Sequence, residues 1–290
     1  MTQHFATAGD FKQALETRLR TEAIRRGVAV GDVRLRFVMD RLIGRLFVAS
    51  NAAWLLKGGF AMDLRYRPHA RTTRDIDLSV GDLETRSLSA RLAVIRDELQ
   101  TAAQIDPGDY LVFRIGAARQ QRQGGPRGGG RFPVEALLAS KTFARLHLDV
   151  GLGNPVIGVP DILVGEDFLG FAGLPPSRAL AIPKAQQFAE KIHAYTHPWT
   201  DRVNTRVKDL VDLVLLIERG ELDAAMVAAA LEATFSTRGS HQQPKELAPP
   251  PEAWQREFPA MATQAALSTH ELAAAFEILT AFWKSTRSIT

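Results

Sequence analysis

Apolar residues recur near a 3.6-residue period from Phe11 to about Phe47, with Phe11, Leu15, Leu19 and Ala23 and then Phe37, Leu42 and Leu46 on one stripe. That spacing predicts amphipathic helix, and Gly27 and Gly31 punctuate its middle. The period then changes. A short apolar run, Ala53-Trp54-Leu55-Leu56, ends at Lys57-Gly58-Gly59, residues 60–66 predict a brief helix, and Pro68 stops it. Asp75-Ile76-Asp77-Leu78-Ser79-Val80 alternates as a half-buried strand does. Asp82 is placed to cap a helix over about 85–103, with Leu88, Leu92, Ile95 and Leu99 on one face. Strands are predicted at 110–115, 132–138 and 143–150, and the Gly-rich residues 120–130 between the first two read as a mobile loop.

Residues 151–182, rich in Gly and Pro, carry no strong periodicity and are expected to connect two halves. Beyond Pro183 the pattern is helical, at about 183–196, 205–219, 221–234, 251–263 and 269–286. Residues 236–251 form a Pro-rich linker or wrapping segment within that half. The order predicts an α+β fold: an N-terminal domain over 1–165, with a mixed sheet and flanking helices, and a helical domain over 166–290.

Composition narrows the chemistry. The chain has 290 residues, 36 Lys+Arg against 32 Asp+Glu and no cysteine. Disulfides and thiolate metal sites are thereby excluded, so any metal must take oxygen or imidazole ligands. The net charge of +4 permits a polyanionic partner without demanding one. No apolar run approaches the roughly 20 residues that span a bilayer, and the first 18 residues have no signal-peptide core, so a cytoplasmic address is expected.

Asp75 and Asp77, two apart in a strand, leave the same face while Ile76 and Leu78 bury on the other. Two such acids are either a solvated strand edge or a site for a hard cation such as Mg²⁺, which takes oxygen ligands and triphosphate oxygens. Asp149 shares its alternating strand with His147, opposite in direction to Leu146, Leu148 and Val150. It could serve as base on an acceptor hydroxyl or complete a second metal site. Gly58-Gly59 at a strand-to-helix turn would let backbone N–H groups approach a phosphate.

In the helical half, Leu210, Leu213, Val214 and Ile217 make a core stripe, and Asp209 and Asp212 are neighbours on one side of that helix. Lys191 lies among Phe188, Ile192 and Tyr195, where it could reach a phosphate as a point charge or carry its ammonium out to water. His193 and His197 stand at i, i+4, but Pro198 follows at once and no acid of the zinc-protease type precedes.

Four spaced motifs carry a resemblance. Lys57-Gly58-Gly59-Phe60-Ala61-Met62-Asp63-Leu64-Arg65, Arg71-x-Thr73-x-Asp75-Ile76-Asp77-Leu78, Glu190-Lys191-Ile192-His193-Ala194 and Lys208-Asp209-x-x-Asp212-Leu213 together resemble the nucleotidyltransferase-like AbiEii toxin family. That family includes the mycobacterial MenT toxins and belongs to the DNA polymerase β-like nucleotidyltransferase superfamily. Most of the superfamily has Gly-Ser where this chain has Gly58-Gly59, so Thr73 is the candidate source of the missing hydroxyl.

The resemblance implies a nucleotidyltransferase-type sheet and a toxin of a toxin–antitoxin pair. It implies Mg²⁺ (or Mn²⁺) on Asp75, Asp77 and Asp149, and catalytic roles for those three acids together with Lys191, Asp209 and Asp212. The nucleotide-binding residues it implies are Lys57, Gly58, Gly59, Arg71, Thr73, Lys191 and Lys208. Partners are a nucleoside triphosphate, the 3′ end of tRNA as acceptor, and a cognate antitoxin, with no membrane. Arg114, Arg119, Arg122, Arg127 and Arg131, in or beside the Gly-rich loop, offer a phosphate-tracking element. The alternatives are transfer of phosphate or nucleotide to a protein hydroxyl, including one on the antitoxin, or a non-catalytic nucleotide- or RNA-binding module. On this reading Asp75, Asp77, Asp149 and Lys191 must converge.

Overall fold

The computed structural model describes residues 4–48, 54–81, 87–121, 125–199 and 204–288. In chain order its elements are α1 (Ala8–Arg26), α2 (Val30–Val48), β1 (Trp54–Lys57), α3 (Gly58–Tyr66), β2 (Asp75–Val80), α4 (Leu88–Ala103), β3 (Leu111–Ile115), β4 (Arg119–Gln121), β5 (Gly129–Leu138), β6 (Lys141–Leu152), β7 (Asp161–Val164) and β8 (Arg178–Ala181). The helices α5 (Lys184–Tyr195), α6 (Val207–Arg219), α7 (Ala224–Arg238), α8 (Phe258–Gln264) and α9 (Leu272–Arg287) follow. The fold is mixed α+β. Two compact units share the chain: Met1–Leu56, Thr72–Gly153 and Ile162–Ala181 make the first, and Lys57–Arg71, Asn154–Asp161 and Ile182–Thr290 the second. Among the described residues no helix is long and apolar enough to cross a membrane.

The first unit is built on one mixed sheet in the order β3-β5-β6-β2-β1-β8-β7, with β4 paired to β5 beside that path. β2 runs parallel to β6 and β1 to β8, whereas β5 is antiparallel to β3, β4 and β6. Ile76, Leu78, Phe132, Val134, Leu148 and Val150 are buried on one face, as strict alternation requires. The residues between them, among them Asp75, Asp77, Arg131 and Asp149, face the other way and keep access to water. Arg41 and Arg45 of α2 clamp the fully buried Asp109 at the entrance to β3, with Arg41 Nε 2.8 Å and Arg45 Nη2 2.5 Å from its oxygens. Burial alone would raise the Asp109 pKa; the two guanidiniums outweigh it and hold that carboxylate below its ordinary range.

Three expectations from the sequence change. Residues 151–182 contribute β7 and β8 to the sheet instead of only connecting two halves. Their pattern hid them: β8 buries the small Ala179 and Ala181 and exposes Leu180, and β7 exposes Ile162 and Val164. The Gly-rich stretch is paired at both of its ends, because Arg119, Gln120 and Gln121 pair with Arg131, Gly130 and Gly129; residues 122–124 fall outside the described residues. A Cβ on Gly130 would come within 2.8 Å of Leu92, and one on Gly125 within 2.6 Å of the Leu152 carbonyl, so glycine here permits close packing. The fourth helix begins at Leu88 with the Ser87 hydroxyl accepting from the Ala90 N–H; Asp82 and Thr85, like Ala53 and Arg122, fall outside the described residues.

The second unit packs α3 and α5 to α9 around Phe188, Ile192, Leu213, Leu231, Phe258, Leu279 and Trp283. The Pro-rich segment wraps this unit: Leu247 is buried, Tyr195 donates its hydroxyl to the Ala248 carbonyl at 2.9 Å, and Arg287 donates to the Pro244 carbonyl at 3.0 Å. The helix predicted at 251–263 is a short 3₁₀ turn, Glu252–Arg256, followed by α8.

Candidate active site

Strand register gathers the carboxylates of the first unit. Asp77 of β2 stands opposite Asp149 of β6, and Asp149 opposite Arg131 of β5, so the three form one row across neighbouring strands. Asp75 stands opposite His147, whose Nδ1 lies 3.5 Å from Asp75 Oδ1. Arg131 meets Asp149 fork to fork: Nε is 2.8 Å from Oδ1 and Nη2 is 2.6 Å from Oδ2. The same Nη2 reaches Asp75 Oδ2 at 3.5 Å. The hydrogen bonds to Asp149, followed by the charges of Asp149, Asp75 and Asp77, raise the Arg131 pKa although burial opposes them. Thr73, just before this strand, donates only a long 3.4 Å hydrogen bond to the Asp75 carbonyl.

In the second unit, Gly58 turns the chain from β1 into α3 at φ +64°, a left-handed conformation that favours glycine. No side chain caps the helix here; Lys57 occupies the N-cap position, and the Gly58 carbonyl accepts from Gln187 Nε2 at 2.9 Å. Lys57 is itself buried and sends Nζ to Glu190 at 3.0 Å. Arg238 reaches the same Glu190 oxygen at 3.3 Å. Burial would raise the Glu190 pKa, but Lys57 and Arg238 outweigh it and lower it.

Lys191 does not carry its ammonium out to water. It is buried, and its Nζ donates to Asp212 Oδ2 at 2.5 Å and to Asp209 Oδ1 at 3.2 Å. Asp212 has no exposure and also accepts two bonds from Arg71, Nε at 3.1 Å and Nη2 at 2.8 Å. Arg206 flanks Asp209 at 3.4 Å, and Lys208 is exposed. Burial would drive Lys191 and Asp212 toward their neutral forms; mutual attraction wins, raising the lysine and lowering the aspartate. The i, i+3 spacing of Asp209 and Asp212 thus places both within reach of one ammonium.

His193 is inward-facing, its Nε2 3.0 Å from Ser240 Oγ and its ring packed edge-on against Phe235. Burial first, then Arg238, pushes its pKa down to about 3. His197 stands beside His241 with ring centres 5.6 Å apart.

The donor set of the strand row suits a hard divalent cation. Asp75 and Asp77 project from one face as carboxylate oxygens with partial access to water. Asp149 is a neighbour in register, with its two oxygens engaged by Arg131. Among the described residues no group of three or more His, Cys, Asp or Glu side chains stands ready to hold a metal ion. Asp75 and Asp77 share one face of a strand as oxygen donors, and both oxygens of Asp149 are bonded to Arg131.

Two contributors escaped the reading of the sequence. Arg131 was grouped with a loop, although its two-residue offset from Pro133 and Glu135 places it on the polar face of a strand. Glu190 gives no local signal, because its partners Lys57 and Arg238 are 133 and 48 positions away.

Comparison with known proteins agrees with the motifs. Residues 41–281 match the family described as "Nucleotidyl transferase AbiEii toxin, Type IV TA system". The chain is similar in structure to MenT4, a nucleotidyltransferase toxin from Mycobacterium tuberculosis, with a TM-score of 0.65 and 16% identity over 94% of this chain and 89% of that one. JHP933 from Helicobacter pylori aligns at a TM-score of 0.46 and 12% identity, over 89% of this chain and 96% of that one. No curated protein sequence matches. The family match spans most of the chain: this protein belongs to the AbiEii nucleotidyltransferase toxin family of type IV toxin–antitoxin systems, enzymes that act on nucleoside triphosphates and are paired with an antitoxin.

Proposed function

We propose that this toxin transfers nucleotides from a nucleoside triphosphate to the 3′ end of tRNA, using Mg²⁺ or Mn²⁺ held by Asp75 and Asp77. The observation that carries the proposal is the in-register row of Asp77 and Asp149 beside Asp75, three acids on the water-facing side of a sheet. Such a cluster is unfavourable unless positive charge joins it. Arg131 supplies one such charge, and a bound cation would supply the rest and neutralise triphosphate oxygens.

Asp75 and Asp77 hold the cation. Asp149 takes the proton of the acceptor 3′-hydroxyl as its oxygen bonds to the α-phosphorus and the bond to the β-phosphate oxygen breaks, releasing pyrophosphate. Lys191, oriented by Asp209 and by Asp212, which Arg71 holds in turn, meets the charge of the leaving pyrophosphate. The N–H groups of Gly58 and Gly59 at the start of α3 bind phosphate oxygens, with Thr73, Lys57 and Lys208 assisting. In this assignment residues 1–165 carry the transferase carboxylates and residues 166–290 the helical half, and the reaction takes place in the cytoplasm. Exposed Arg114, Arg119 and Arg127 supply positive charge for an RNA backbone.

The test is incubation with each of four labelled ribonucleoside triphosphates and total RNA. Label is expected in RNA of tRNA size and is expected to vanish when the RNA 3′ ends are oxidised beforehand. Label confined to protein, with a matching mass increase on the co-expressed antitoxin, would assign the acceptor to a protein hydroxyl instead.

A further inference from the structure

The row of Asp75, Asp77 and Asp149 contains one guanidinium, and its position is specific. Arg131 covers both oxygens of Asp149, at 2.8 and 2.6 Å, and leans on Asp75 at 3.5 Å. The fork takes one lone pair on each Asp149 oxygen, and its positive charge opposes the approach of a divalent cation or a proton to the same carboxylate. While the fork is closed, Asp149 has neither oxygen clear of Arg131. The clamp is not immured, however: the Arg131 side chain is 37% exposed, so it has room to leave. A phosphate offers a guanidinium the same planar, two-point match that a carboxylate does. The exposed Arg119, in register beside Arg131 on β4, adds positive charge on the same side of the row as the guanidinium.

We propose that Arg131 is a positioning residue that hands over between two anions. In the free enzyme it is clamped on Asp149 and Asp75 as a built-in counter-cation; when a nucleoside triphosphate arrives it moves to phosphate oxygens and releases the carboxylates. The inference rests on the cation site assigned to Asp75 and Asp77. Arg131 thus keeps the acid row compact without metal and delays full cation binding until the nucleotide is present. A purely structural ion pair would do the first and not the second.

The experiment is calorimetric titration of the full chain with Mn²⁺ in the absence of nucleotide, for wild type, Arg131→Gln, Arg131→Lys and Asp75→Asn, each first checked for an unchanged circular dichroism spectrum. Removing a bidentate, charged competitor is expected to tighten Mn²⁺ binding about tenfold in Arg131→Gln. Arg131→Lys, which keeps the charge but not the fork, should fall between, and Asp75→Asn should lose the binding. In turnover, Arg131→Gln should raise KM for the triphosphate more than it lowers kcat. If Arg131→Gln binds Mn²⁺ like wild type while Asp75→Asn does not bind it, the handover is wrong and the cation site stands. If Asp75→Asn binds Mn²⁺ as wild type does, the cation site itself is wrong and the handover falls with it.

Discussion

The strand row of the first unit and the lysine cluster of the second solve opposite electrostatic problems. In the row, three carboxylates face one guanidinium, and Asp75 and Arg131 keep 39% and 37% of their side-chain surface in water. In the cluster, Asp209 and Asp212 face Lys191 and Arg71, and Asp212 keeps 1%. The row carries surplus negative charge in a high-dielectric setting, where another cation can enter at little cost to the fold. The cluster has no surplus of negative charge and its centre is dry, so each charge there depends on its partners being present. An acid can therefore be essential for chemistry in one region and for folding in the other.

The largest expected effect tests the row. Asp75→Asn or Asp77→Asn should lower nucleotidyl transfer by at least about a thousandfold, the scale on which metal-assisted charge stabilisation operates. The melting temperature should stay within about 2 °C of wild type, since half-exposed surface changes are worth about 0.5 kcal/mol or less. Radiolabel transfer and differential scanning calorimetry on the same preparation decide the matter; a variant that melts much earlier would place these acids among the structural ones.

Asp212→Ala should behave differently. It strands Lys191 and Arg71 in a buried setting, and breaking a buried pair from one side costs about 3–5 kcal/mol. A drop of roughly 10 °C in melting temperature is expected alongside lost activity. Asp209→Ala, with its partner Arg206 nearer to water, should cost less. Equal melting of Asp212→Ala and wild type would erase the contrast between the two regions.

The two regions also differ in how far the sequence discloses them. Alternation alone put Asp75 and Asp77 on the face away from Ile76 and Leu78, and the strand bounds show both. Pairing of Asp77 with Asp149 could not be read, because β2 and β6 are partners 72 residues apart and register is set by contacts between strands. Lys191 was misplaced toward the edge of an apolar face because the acids that hold it inside lie on a different helix. β8 turns its one large apolar side chain outward, the reverse of the usual amphipathic signal, and β7 is apolar on both faces, with Leu163 in and Ile162 and Val164 out, so neither shows the expected alternation. Periodicity reports one face of one element; partner choice is a property of the assembled sheet or bundle.

Gly58→Ala separates backbone shape from charge. At φ +64° a Cβ is expected to cost about 1–2 kcal/mol, or about 3–6 °C in melting temperature, with no ion pair altered. If the turn also presents N–H groups to phosphate, KM for the triphosphate rises in the same variant while the Mn²⁺ affinity of the row is unchanged. A variant that melts like wild type would show that the left-handed conformation is not needed there.

The smallest effect concerns a neutral group beside the charged cluster. His193 is held unprotonated, its pKa pushed down to about 3 by burial and by Arg238, against about 6.5 in an unfolded chain. Between those values the unfolded state takes up a proton that the folded state refuses, so stability is intact above about pH 6.5 and declines as pH falls. His241, lowered by burial and by His197, acts in the same direction. The buried carboxylates Asp212 and Glu190 are lowered instead, and their loss begins only as pH approaches the carboxylate range near 4. The interval from pH 7 to 5 therefore isolates the histidines. Melting temperature measured across it should fall less steeply in His193→Gln than in wild type, by about 3 °C at the acid end. The glutamine keeps a polar group to meet Ser240 but cannot titrate. Parallel slopes for the two proteins would mean that His193 gains its proton as readily folded as unfolded, and that the neutrality of this corner does not contribute to its stability.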